Sequence, residues 1–186
     1  TLAFGPAAVL NINPDIGGPI LARHLYNENL MNYFGNINGT INSGGVIKNR
    51  AGGIMQFHGL AGFTGSAGVI NNQAGALIDK TAHSGMVHLT TPILNDIGGE
   101  IRVTSGTLQF DDTVTNNGLI HSLPGTSLKF SSGPNTFSST STLDVAIPVD
   151  EVPDGGACAR PAPAPGEGDP ERSDHQERRR QASFER

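Results

Sequence analysis

Tryptophan is absent from this chain, cysteine occurs once, at Cys158, and aromatic residues make up only 5% of its 186 positions. A single cysteine cannot close a disulfide or build a cysteine-based metal site within one chain. No stretch approaches the roughly 20 consecutive apolar residues that a membrane-crossing helix requires, so no membrane span is expected. Charged residues are sparse at 16%, and Lys and Arg (12) are outnumbered by Asp and Glu (17). There is no basic surplus of the kind that neutralises a phosphate backbone, and nucleic acid is not an expected partner. What the chain has in abundance is glycine, 25 in all, together with many β-branched residues. That composition points to an all-β chain rich in turns, and the length is ample for a buried core.

Self-similarity organises the rest. Four segments align: "VIKNRAGGIMQF" from Val46, "VINNQAGALID" from Val69, "ILNDIGGEIRV" from Ile93 and "VTNNGLIHS" from Val114. Their anchor asparagines, Asn49, Asn72, Asn95 and Asn117, are 23, 23 and 22 residues apart, and three are followed at the third position by Gly52, Gly75 and Gly98. A second column follows, with "GMVHL" at Gly85, "GTLQF" at Gly106 and "GTSLKF" at Gly125. In it Val87 and Leu89, Leu108 and Phe110, and Leu128 and Phe130 alternate with His88, Gln109 and Lys129. A period of two sends one set inward and the other to solvent.

A unit of about 22 residues cannot bury its apolar face alone, but stacked units share a continuous core and pair each strand with the coils above and below. The expected fold is therefore a parallel β-helix, or β-solenoid, and a β-sandwich with regularly spaced turns is the competing reading. Glycine and asparagine accept the left-handed backbone of sharp corners, and stacked asparagines can hydrogen-bond along their column. Residues 35–147 are assigned to the repeats. Residues 1–34 are assigned to an N-terminal cap or irregular coil, in which "LARHLYNENLMNYF" places Leu21, Leu25 and Met31 on one possible helical face. Asn38 precedes Asn49 by only 11 residues, which implies a slipped register or a loop. Asn135 to Ile147 reads as a last, degenerate coil. Residues 148–186 turn to Pro, Gly and charge, a composition that cannot offset the entropy of ordering, so a disordered tail is expected there. Arg178, Arg179 and Arg180 belong to that solvated tail. The chain begins at Thr1 without a charged start and apolar core, so the expectation is that a signal peptide has been removed or that the sequence is a fragment.

Candidate chemistry is thin. Asp111 and Asp112 are the best acidic pair for glycoside hydrolysis, which needs two carboxylates at a set separation, yet neighbours on a strand point to opposite faces and their ordinary reading is a turn. His24, His58, His83, His88 and His121 show no metal-ligand spacing with a third ligand, and neither metal nor cofactor is expected. Asn38-Gly39-Thr40 matches a glycosylation acceptor sequence, relevant only in a suitable secretory route. Thr113-Val114-Thr115 and Thr140-Ser141-Thr142 do not recur coil by coil, as flat threonine rows would.

The repeated "N-x-x-G-(G)-x-I … G-T-L-x-F" pattern resembles the β-helical repeats of bacterial secreted surface proteins, the filamentous haemagglutinin-like adhesins and autotransporter passenger domains, over roughly residues 35–147. The resemblance implies a right-handed parallel β-helix, secreted or at the bacterial cell surface, serving adhesion or structure rather than catalysis. Its expected partners are host or environmental glycans or proteins, engaged through a ladder of outward residues such as Gln56, His88, Gln109 and Lys129. The alternative function is a carbohydrate-active β-helix, a polysaccharide hydrolase or lyase using Asp111 or Asp112.

Overall fold

The computed structural model describes residues 1–14 and 16–146, and every regular element among them is a β-strand. The repeat unit shows why. In "VIKNRAGGIMQF" the alternation buries Ile47 and Asn49, then Met55 and Phe57, all at 0–1% exposure, while Val46, Lys48, Ile54 and Gln56 face outward. Between the strands Val46–Asn49 and Ile54–Phe57 the chain folds through a tight corner, closed by the Gly53 N–H donating to the Arg50 carbonyl at 2.7 Å. Gly52 takes φ 80° at that corner, and Gly75 and Gly98 repeat it at 73° and 79°. This is the left-handed region, where a side chain costs roughly 1–2 kcal/mol, so the three glycines hold the corners the spacing assigns to them.

Successive coils stack in parallel. The first face is a seven-stranded sheet of Leu2–Phe4, His24–Asn27, Val46–Asn49, Val69–Asn72, Ile93–Asn95, Val114–Asn116 and Thr136–Phe137. The second, also seven-stranded, joins Val9–Ile12, Leu30–Tyr33, Ile54–Phe57, Leu77–Lys80, Glu100–Val103, Leu119–Ser122 and Thr142–Val145. The third face is split into two three-stranded sheets. One comprises Ile20–Leu21, Gly39–Ile41 and Phe63–Thr64, the other Met86–Leu89, Thr107–Phe110 and Ser127–Phe130. The protein is thus a parallel β-solenoid. Like residues stack on like: Leu25, Ile47, Ile70, Ile93 and Val114 form one interior file, and Met31, Met55, Ile78, Ile101 and Ile120 another. No helix among the described residues is long and apolar enough to cross a membrane.

A polar file runs through this apolar interior. The Nδ2 of Asn27 donates to Oδ1 of Asn49 at 2.8 Å, Asn49 to Asn72 at 2.9 Å, Asn72 to Asn95 at 2.8 Å, and Asn95 to Asn116 at 2.7 Å. The steps are 22, 23, 23 and 21 residues. The second amide hydrogen of each donor reaches a second-face carbonyl, of Ile54, Leu77, Glu100 and Leu119 in turn. All five asparagines have 0% exposure. Phe4 stands in register with Asn27 at one end of the file and Phe137 with Asn116 at the other.

Three expectations are corrected here. The last rung is Asn116 rather than Asn117: Val114 is an inward residue in register with Ile93, the period of two makes Asn116 inward, and Asn117 falls at the corner. The segment containing Leu21, Leu25 and Met31 is not helical but forms strands of successive coils, with Leu25, Asn27, Met31 and Tyr33 inward. A spacing of four suits a helix face but is also twice two, and the strand period prevails because it supplies the rung Asn27. The repeats accordingly begin before residue 35, and "GNINGTINSGG" supplies the third-face strand Gly39–Ile41 rather than a slipped anchor at Asn38. The expected tail, 148–186, lies outside the described residues.

Besides the asparagines, one interior file breaks the apolar rule twice, at Lys80 and at Ser122, which stands in register with Val103 and has a buried hydroxyl with no partner among the described residues. The file Tyr33, Phe57, Lys80, Val103 places a lysine among core side chains at 0% exposure, its Nζ donating to the carbonyls of Ala82 and His83. Burial holds the Lys80 amine below its ordinary value of 10.5. In the window between that lowered value and 10.5 the unfolded chain binds more protons than the folded one, so stability rises with pH there. Tyr33, pushed up to about 12 by burial, opposes this only above 10.

Two outcomes are expected. Asn72→Ala leaves one Asn49 amide hydrogen without an acceptor and the Asn95 oxygen without its donor, and should cost about 2–4 kcal/mol in urea unfolding, with Asn116→Ala at the end of the file costing less. Lys80→Met should fold, be at least as stable near neutrality by up to about 4 kcal/mol, and lose its advantage over the parent as pH rises toward 10; a constant difference in melting temperature across that range would contradict the assignment.

Candidate functional site

Among the described residues the interior is committed to stacking, and the outward positions left for chemistry fall into files. On the third face, Met86–Leu89, Thr107–Phe110 and Ser127–Phe130 pair in register. Val87, Leu89, Leu108 and Phe110 are fully buried, and the Phe110 and Phe130 rings stack with centroids 5.3 Å apart. The same alternation turns Met86, Thr107 and Ser127 outward in one file and His88, Gln109 and Lys129 in the next. Adjacent members of a file are about 4.8 Å apart. Three of the four expected ladder residues are therefore neighbours. Gln56 is not among them, because it lies on the second face in register with Asn32 and Asp79.

Just past the file, Asp111 gathers its neighbours from three coils. Its carboxylate accepts hydrogen bonds from His88 Nδ1 at 2.7 Å, from Gln109 Nε2 at 2.6 Å and from the Ser131 hydroxyl. Burial alone would raise the Asp111 carboxyl, but the bonds from Ser131, Gln109 and His88 outweigh it and hold the group below its ordinary value of 3.8. With Asp111 ionised, His88 donates through Nδ1, which leaves Nε2 for solvent or ligand; the His88 side chain is 45% exposed. This is not a nucleophilic triad, since the serine bonds the carboxylate and not the imidazole that would have to activate it. Asp112 accepts the Thr113 N–H at 2.6 Å, a local turn contact. A carboxyl held ionised cannot serve as the general acid of glycoside cleavage at neutral pH.

The other candidate histidines are dispersed. His24 meets Tyr26, His58 lies between Asn32 and Thr81 with its ring stacked on Phe34 at 4.5 Å, and His121 contacts Glu100 at 3.0 Å. His83 sits in a corner at φ 60°, the only non-glycine residue with positive φ among those described. No group of three or more His, Cys, Asp or Glu among the described residues could hold a metal ion. Asn38 of the acceptor sequence receives the Gly62 N–H through its side-chain oxygen at 3.0 Å.

Two features are not evident from the repeats alone. On the second face Asp79, with 2% side-chain exposure, pairs with Arg102 at 2.6 Å, and Arg102 lies 3.8 Å from Glu100. The signal was the 23-residue offset of Asp79 and Arg102, one coil. These charges satisfy one another and leave the second face little free charge. On the third face, the corner that precedes the His88 file opens a groove of about 500 Å3 lined by Ser84, Ser105, Thr107, Thr126 and Ser127, among others.

The chain matches no family model, no curated protein and no solved structure. Its assignment rests on its own geometry.

Asp111 yields a pH test. Its stabilising contribution is present above about 3.8, the unfolded value, and is lost as pH falls through the lowered folded value. Asp111→Asn should therefore flatten the acid limb of melting temperature against pH, leaving the neutral region lower by about 1 kcal/mol or more from the weakened charged hydrogen bonds; an unchanged acid limb would show that the cluster does not hold.

Proposed function

We propose that this chain is a non-enzymatic segment of a secreted or cell-surface protein of bacterial type, built to display an extended binding face, as in the haemagglutinin-like adhesins and autotransporter passengers its repeats resemble. The observation that carries the reading is the file His88, Gln109 and Lys129, aligned on adjacent strands of a stack whose interior is closed. Seven parallel strands spaced about 4.8 Å make a rod about 29 Å long in its described part. Each coil is held by the next, so outward residues can vary while their spacing stays fixed. Such a surface suits recognition of a glycan or protein of the host or surroundings by many shallow contacts.

The hydrogen bonds already made by both acidic neighbours of the file support the same reading. Asp111 is engaged by three donors and Asp112 by its own turn.

The test is adhesion of particles coated with the full chain to cells and matrix. Replacing His88, Gln109 and Lys129 together by Ala should lower retention about tenfold with the strand signal of far-UV circular dichroism kept and the melting temperature lowered only by the lost Asp111 bonds, whereas Gln56→Ala, on another face, should leave retention unchanged. Release of reducing ends from neutral or acidic polysaccharides, lost in Asp112→Asn, would instead establish an enzyme.

A further inference from the structure

The groove beside the His88 file is uncharged and mixes hydroxyls with the apolar surface of Gly106, Pro124 and Gly125. Ser84, Thr104, Ser105, Thr107, Thr126 and Ser127 surround about 500 Å3, and no acidic, basic or aromatic side chain lines it. That volume falls within the range of about 300–1,000 Å3 typical of small-molecule sites. Three of these hydroxyls spend their hydrogen inward: Thr104 on the Lys80 carbonyl at 2.9 Å, Ser105 on the His83 carbonyl at 3.1 Å and Thr126 on the Leu123 carbonyl at 2.7 Å. A hydroxyl so bonded still offers lone pairs, and so acts here as an acceptor. Thr107 and Ser127 stand in register on adjacent strands, outward and half-buried.

We propose that this groove binds a neutral saccharide. A charged ligand would enter without a counter-charge and lose hydration uncompensated. An apolar one would strand a ring of hydroxyls without water. A polyol alone exchanges its water bonds for bonds of the same kind, donating to the committed hydroxyls and pairing either way with Thr107 and Ser127. The corner is also preorganised, because Lys80 Nζ holds the carbonyls of Ala82 and His83 on the side where Ser84 enters the groove. Gln109 and His88 lie in the next file and extend the same polar surface. With no aromatic platform, single-site affinity is weak, of roughly millimolar order.

This inference rests on the display reading and names the ligand class for that same face. The experiment is saturation-transfer NMR of the full chain with neutral oligosaccharides (gluco-, xylo- and manno-oligomers) and with oligogalacturonate, at low and high salt. Binding of a neutral oligomer at equal strength in both salts is expected, weakened about tenfold in the Thr107→Val, Ser127→Ala double variant and retained in Thr107→Ser, with all variants melting like the parent. Neutral binding untouched by the double variant would overturn the site. Salt-sensitive binding of the acidic oligomer alone would overturn the ligand class. If no saccharide binds while coated particles still adhere to cells, the saccharide inference falls and the display reading stands; if adhesion also fails, both fall.

Discussion

A carboxamide buried in an apolar interior must find partners for one oxygen and two hydrogens, and that requirement sets the geometry of this solenoid. Asn27, Asn49, Asn72 and Asn95 each satisfy it by donating one hydrogen to the next asparagine and the other to a carbonyl on the second face of the following coil. The bonds all run the same way along the stack. A coil that arrived one residue out of register would turn its asparagine to solvent and leave two neighbours unpaired, a loss of several kcal/mol. Coil length varies between 21 and 23 residues in these steps, and the variation is absorbed in corners, never in the position of the amide.

From that fixed file the apolar files inherit their register. Ile47, Ile70 and Ile93 lie two residues before their asparagines and stack on one another because the asparagines do. Each coil touches only its neighbours, so stability accumulates along the axis and is lowest where a neighbour is missing. Inward residues show the effect: Ile78 and Ile101 have 0% exposure, whereas Leu143, in the same file, has 48%. Lys80 is the exception within the middle of the stack. Its charge is a cost to the core, and what it supplies in exchange is a hold on the corner at Ala82 and His83, where the third face shifts from one three-stranded sheet to the other.

The sequence carries the fold in its periods and loses it where a period is ambiguous or a unit changes length. Asn49, Asn72 and Asn95 are legible because spacing, following glycine and flanking aliphatics agree. Asn116 is displaced by one in that reading because "TNNG" offers two asparagines and only the inward phase of Val114 chooses between them. Asn27 is hidden because its corner, Glu28-Asn29, lacks the glycine that marks the others. The outward residues His88, Gln109 and Lys129 follow from alternation alone. Gln56 has the right phase but belongs to a different face, which alternation cannot distinguish. Asp111's role needed three coils at once, since its partners lie 23, 2 and 20 residues away.

The division between inside and outside also explains where specificity can reside. Replacing an inward residue alters every coil that stacks on it, so the interior tolerates little beyond isosteric exchange. An outward residue on a face without ion pairs alters only its own contacts. The second face has used much of that freedom on Asp79, Arg102, Glu100 and His121, which bind one another. The third face has used it on one carboxylate and left hydroxyls, an imidazole nitrogen, an amide and an ammonium turned outward on adjacent strands. Recognition on such a rod depends on the polar groups a face still turns outward, and on the third face these include the second ring nitrogen of His88 and the Lys129 ammonium, two strands away in the same file.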